Sequence, residues 1–239
     1  MLIAARNGFM VGKRLPYDAE VEYLLSTSNA DGSSGQNIDT GVIVGDKSHV
    51  QVVMSDNTSV GRWIFGARQG YLNRVYGIYS EFENNYFKWA FGNSLASPFV
   101  YATDSSSVGR VTIDINGSNL TITREKTPLT HTATISGSPF TTPVPLSLFC
   151  LNNNGVVTSY SSLRIYGCKV WDNGALVRDY QPVRFTNDFG VSEGAMYDRA
   201  NPTVGMNADG TARNDGLYFN RGTGAFVIGP DKVPPQGGV

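Results

Sequence analysis

Six glutamates are the first candidates for chemistry: Glu20, Glu22, Glu81, Glu83, Glu125 and Glu193. Glu20/Glu22 and Glu81/Glu83 are spaced two apart, so a strand would project each pair from one face. Retaining glycoside hydrolysis holds two carboxyl groups about 5–5.5 Å apart, and a same-face pair is where such a site would begin. Lone pairs of this kind are more often solvated edge residues. Nucleophilic hydrolysis has less to work with. No Gly-x-Ser-x-Gly turn occurs, and the two histidines, His49 and His131, sit in Ser- and Thr-rich stretches that read as strand surface. The histidines and the two cysteines lack ligand spacing, so no zinc site is expected.

Binding chemistry is better supplied. Asn207-Ala208-Asp209-Gly210 and Asp31-Gly32 offer loop oxygens of the kind calcium accepts. Asp-Gly pairs also make plain turns, no position stands out as a ligand, and no cofactor is called for. A sugar site needs aromatic rings for the apolar face of a pyranose, with Asn, Asp or Arg for its hydroxyls. Aromatic residues are 11% of the chain and gather as Trp63, Tyr71, Tyr76, Tyr79, Tyr86 and Trp89. Trp63, Tyr71, Tyr76, Tyr79 and Tyr86, with Asn152, Asn153, Asn154, Asn207 and Asp209, form the candidate set for a glycan. They serve equally for a protein partner, since Tyr and Trp anchor interfaces. The structural reading stands beside this one. About half of these rings belong in a core, Trp89 and Trp171 foremost, and Asn152-Asn153-Asn154-Gly155 is a hairpin turn before it is a ligand loop.

Strands must position all of these residues, because helical periodicity is almost absent. In Arg110-Val111-Thr112-Ile113-Asp114-Ile115 the apolar residues alternate with polar ones, Asn116-Gly117 supplies a hairpin turn, and Asn119–Thr123 returns. Further strands are expected at Val50–Met54, Arg62–Ala67, Val75–Tyr79, Tyr86–Phe91, Pro145–Leu151 and Leu163–Trp171, with a tight turn at Asp172-Asn173-Gly174 into Leu176–Tyr180. Gly216–Phe219 and Ala225–Ile228 read as a last hairpin. Short strands punctuated by Gly, Asn and Asp are the signature of an all-β sandwich or barrel. Its apolar content of 41% affords a core, while 16% charged residues and a net charge of -1 give no footprint for nucleic acid or an anionic membrane. Cys150 and Cys168 fall in apolar strands; a hairpin joining those strands sets them apart, as two buried thiols. The apolar run at Leu2–Met10 is too short for a signal peptide, and no stretch reaches the length of a membrane helix.

Four segments, in order, resemble the laminin-G-like, concanavalin-type domains of phages and prophages of gut bacteria. They are Val21–Leu24 with Asn37–Val42 as an opening strand pair; Ile64–Arg68 with Phe87–Asn93; Leu163–Gly174 continuing through Leu176–Val183; and Tyr197–Arg199 with Phe219–Phe226. The resemblance spans roughly residues 20–230 and implies a two-sheet antiparallel β-sandwich, a concanavalin-like jelly roll, associated with glycan binding or adhesion. Glucanases of that fold carry a Glu-x-Asp-x-Glu strand motif, and no glutamate here is followed by Asp two places on. The expectation is therefore not an enzyme. Two loops run longer than in the family: Asn29–Gly35, and Asn201–Asp215. Sandwich loops often carry recognition, although insertion in a solvated loop costs little.

The sequence thus predicts three parts: an N-terminal arm over 1–19, a sandwich over 20–229 and a flexible tail over 230–239. Leu2, Ile3, Phe9 and Met10 would anchor the arm in a neighbouring subunit. The function expected is a non-enzymatic phage virion protein, outward-facing and homo-oligomeric, contacting other virion proteins and host or mucus glycans. The alternatives are a capsid-decoration or assembly protein making only protein contacts, and a bacterial surface adhesin.

Overall fold

The computed structural model describes residues 15–56, 62–70, 73–81, 86–92, 101–103, 109–125, 130–135 and 138–232. The anchoring residues Leu2, Ile3, Phe9 and Met10 lie outside that set, as do Tyr71 and the tail beyond 232. The chain is all-β, in two multi-stranded sheets. It opens with β1 (Ala19–Glu20), β2 (Leu24–Leu25), β3 (Ile38–Gly45) and β4 (Ser48–Asp56). β5 (Arg62–Gln69), β6 (Asn73–Glu81), β7 (Tyr86–Gly92) and β8 (Tyr101–Thr103) follow, then β9 (Val111–Asn116), β10 (Asn119–Arg124) and β11 (Thr130–Thr134). The middle of the chain forms β12 (Thr141–Leu148), β13 (Leu151–Asn153), β14 (Val156–Thr158), β15 (Leu163–Asp172) and β16 (Ala175–Thr186). The last strands are β17 (Ser192–Asp198), β18 (Gly205–Met206), β19 (Ala212–Arg213), β20 (Leu217–Phe219) and β21 (Val227–Ile228).

The larger sheet runs β11-β10-β9-β4-β15-β16-β17-β20-β18-β19, and the smaller β14-β13-β5-β6-β7-β8, with β12 joining β3 to β5. Alternation decides which residues meet between them. Val50, Val52, Met54, Ile113, Ile115 and Val170 point inward from the larger sheet and are buried. Ile64, Phe65, Tyr76, Ile78, Trp89 and Phe91 answer from the smaller one. Tyr76 crosses the gap, its hydroxyl donating to the carbonyl of Ile115 at 3.2 Å. This is a β-sandwich.

Several strand expectations are met and several are corrected. β9 and β10 pair from Asn116↔Asn119 outward, so the turn residues are Gly117 and Ser118, with Gly117 at φ 54. Asn116 closes the strand, and the turn needs only one positive φ, at its first central residue. Asn173 (φ 48) and Gly174 (φ 83) make the expected two-residue turn, as do Asn154 (φ 53) and Gly155 (φ 89) between β13 and β14. Pro145–Leu151 and Leu163–Trp171 do not form a hairpin. Phe149, at φ 69, ends β12, and residues 151–158 make their own hairpin, leaving β12 in one sheet and β15 in the other. The last hairpin does not form either. Residues 221 and 223 donate to the carbonyls of Asn37 and Gly35, carrying the chain from β20 across to β21, which pairs with β2. The opening segments also part, β2 to the larger sheet and β3 to the smaller.

Both thiols are free and buried, as expected, although the hairpin used to infer it is absent. Burial pushes each thiol well above its ordinary pKa. Neither Cys150 nor Cys168 should react with a disulfide reagent at pH 8 in the native state, and both should react at once in denaturant. A fast-reacting thiol in the native protein would contradict this packing.

Candidate functional site

Trp63, Tyr76 and Tyr79 resolve onto two faces of the smaller sheet. Tyr76 belongs to the core and meets no solvent. Trp63 is 8% exposed on the other face, its ring against Gly66 and Gly77, with Tyr79 edge-on at 6.1 Å. A Cβ at Gly66 would stand 2.7 Å from the indole, so that glycine makes room for the ring. Tyr86 takes its place in β7 opposite Thr103. Asn152 is consumed by its hairpin: its amide donates to the carbonyl of Pro145, and its side-chain oxygen accepts from the backbone of Gly155. Asn153 is half-buried and Asn154 turns the chain, its N–H donating to the carbonyl of Arg68. These residues build the fold.

Asn207 and Asp209 behave differently. They sit at the tip between β18 and β19, inside the long 201–215 segment, and line an open basin of about 660 Å³. Across the basin is the β16–β17 tip with Asn187 and Asp188. The register explains the floor. Phe185 pairs with Glu193 and Ala195 with Phe219, so alternate residues of β16, β17 and β20 share the outer face. Val183, Ala195, Tyr197, Leu217 and Phe219 form a second apolar cluster there, with Tyr17 and Phe185 packed against it. β17 is accordingly buried without interruption from Gly194 to Asp198, on both faces.

Arg213 fixes the geometry. Its guanidinium lies 4.8 Å over the Phe219 ring and is ion-paired to Asp215, while Nη1 donates to Oδ1 of Asn207 at 2.7 Å. Asn207 also donates to Oγ1 of Thr211, and Oδ1 of Asp209 accepts from the backbone and hydroxyl of Thr211. The hydroxyl and backbone bonds from Thr211 hold the Asp209 carboxyl below its ordinary pKa. On the facing tip, Asn187 donates to Oε1 of Glu193 and accepts from the backbone of Phe189 and Val191. The rim thus keeps several oxygens for a ligand: both of Asp188, one of Glu193 and one of Asp209. Phe189, 91% exposed, stands beside it.

The sequence points to Asn207 and Asp209 as ligand residues and to Glu193 only as one of six glutamates, and gives no sign of Phe185, Asn187, Asp188, Arg213 or Phe219. It also assigns Trp171 to the core. Trp171 lies on the outer face of the larger sheet, stacked at 4.0 Å and 9° on His49, its register partner in β4. His49 Nε2 is 3.0 Å from Oδ1 of Asp114 but off the axis of a hydrogen bond, and Gln51 donates to Oδ2.

Elsewhere the carboxylates hold structure. Glu20 pairs with Arg199 and Glu22 with Arg110. Asp31 accepts from the backbone of Ser33 in a turn. Asp198, fully buried, accepts from the backbone of Asp179 and Ala200 and lies 3.6 Å from Arg178. Among the described residues no group of three His, Cys, Asp or Glu is placed to hold a metal ion. No protein-family model matches this chain, and no curated protein matches it.

Two outcomes test the role of Arg213. Arg213→Ala should lower unfolding stability by about 1–3 kcal/mol, since it strands Asn207 and Asp215 and uncovers Phe219. Burial works to raise the Asp215 carboxyl, but the bonds from Arg213 and the Leu217 N–H outweigh it and leave the pKa lowered. A depressed carboxyl stabilises the fold above its unfolded value and ceases to as the pH falls through the folded one. Urea midpoints of wild type and Asp215→Asn should therefore differ above about pH 4 and converge below it. A pH-independent gap would contradict the ion pair.

Proposed function

We propose that this protein is a non-enzymatic, lectin-like module of a phage virion, a concanavalin-like jelly roll that engages glycans through the basin between the β16–β17 and β18–β19 tips. The observation that carries the reading is the basin itself. Carboxylate and amide oxygens rim a floor of Phe185 and the Arg213–Phe219 stack, which combines acceptors for sugar hydroxyls with an apolar patch for a ring face. The larger sheet extends beyond β20 through the 201–215 segment, which the sequence singles out as longer than in the similar domains. The virion setting rests on the order of motifs that resemble phage and prophage domains.

A second reading has its own support. Phe189 and Val191 expose 91% and 54% of their surface at one hairpin tip, as residues awaiting a protein partner would. On that reading the module is a decoration or assembly protein.

A glycan array followed by titration separates the two. The glycan reading expects specific, saturable binding that Asp188→Asn weakens about tenfold, the worth of a hydrogen bond to a charged group. Asp188 is exposed, so this substitution should leave the unfolding midpoint unchanged. A blank array, with Phe189→Ala abolishing assembly, would overturn the glycan reading in favour of the assembly protein.

A further inference from the structure

β16 has a depression at its other end as well. This one holds about 540 Å³ between the β3–β4 turn, the β15–β16 turn, the beginning of β6 and the start of β12. Eleven residue steps of β16 separate the two ends, roughly 36 Å in an extended strand. Its charges are arranged differently from those of the basin. Lys47 and Arg74 line it with exposed side chains, and neither has an ion pair or side-chain hydrogen bond among the described residues. The two carboxylates in the wall already have work: Oδ1 of Asp46 accepts from the backbone of Phe140, and Oδ1 of Asp172 accepts from the side chain of Asn173. Ile43, 41% exposed, gives the wall an apolar patch.

The backbone adds an independent observation. Arg74 has φ 50, in the left-handed region where a Cβ is strained and glycine is not. An arginine thus stands at a position that glycine would occupy more easily, in the wall of the depression. Outliers of this sort gather where a side chain binds something.

We infer that this depression binds an acidic sugar. The carboxylate or sulfate oxygens of the ligand meet Arg74, whose planar fork suits them, and Lys47, a point charge. Ring hydroxyls donate to the remaining oxygens of Asp172 and Asp46, and the apolar face of the ring rests on Ile43. The inference does not depend on the basin, which presents three carboxylates and an arginine already paired to Asp215. If both sites are filled, a long glycan bearing acidic residues could bridge them, and the gain would be one of effective concentration.

Calorimetric titration tests this with the methyl glycoside of N-acetylneuraminic acid and with 6-sulfo-N-acetylglucosamine, each against its uncharged counterpart, and with sodium sulfate alone. The acidic sugars should bind at least about tenfold more tightly than the neutral ones, and sodium sulfate far more weakly than either. Arg74→Gly is the decisive variant. It should cost at least about tenfold in affinity while leaving the melting temperature unchanged or raised, because glycine relieves the strain. Lys47→Ala should weaken binding with no change in melting temperature. Equal binding of charged and neutral sugars would overturn the inference. So would full affinity in Arg74→Gly, or sodium sulfate binding as tightly as the sugars.

Discussion

A fork in the larger sheet is the constraint on which the rest of the structure depends. β15 and β16 pair from Asp172↔Ala175 as far as Cys168↔Tyr180 and then separate. Residues 18–26 fill the opening. Asp18 and Val21 donate to the carbonyls of Arg184 and Pro182 in β16, and Ser26 donates to that of Leu163 in β15. The chain's last described residues close the other edge of this segment: Glu22 donates to Pro230, Gly229 to Tyr23 and Lys232 to Glu20. Gln181, buried beneath, donates to the carbonyl of Val21 and accepts from Lys232 Nζ. Strand backbone left unpaired in a buried fork would cost several hydrogen bonds, so the two ends of the sandwich are held together or not at all. The paired region reaches three residues into the expected tail and includes Ala19 of the expected arm.

The fork also explains why a second apolar cluster and the basin lie on the outer face of the larger sheet. Freed from β15, the second half of β16 continues beside β17 and exposes its outer face, where a second apolar cluster forms around Val183, Ala195 and Phe219. Tyr17, led in by the segment that fills the fork, packs against Tyr197 with the rings 4.9 Å apart and tilted by 58°. Arg213, from the long segment after β17, covers Phe219. What remains uncovered, between two hairpin tips, is the basin.

Much of the sandwich was legible because alternation is a local property. Val111, Ile113 and Ile115 against Thr112 and Asp114 read directly, and the Asn-Gly turns at 154–155 and 173–174 follow from positive φ alone. Pairing between distant strands was not legible. Nothing local in Ser147–Leu151 announces that Phe149 takes a positive φ and turns the chain away from β15. The site was legible only in small part, for the same reason. Asn207 and Asp209 sit in a conspicuous polar loop, whereas Phe185 and Phe219 look like ordinary strand residues until register places them on one outer face beneath Arg213. Trp171 shows the converse, an apolar residue in an apolar strand that alternation sets on the outside, since its neighbour Val170 points into the core and Trp171 faces out against His49.

The most direct measurement is a crystal structure of the protein grown with an oligosaccharide at saturating concentration. Ligand density is expected between the two hairpin tips, with sugar hydroxyls on Asp188, Glu193 or Asp209 and a ring face toward Phe185. Density over Trp63 and Tyr79 on the smaller sheet, with the basin empty, would contradict this placement.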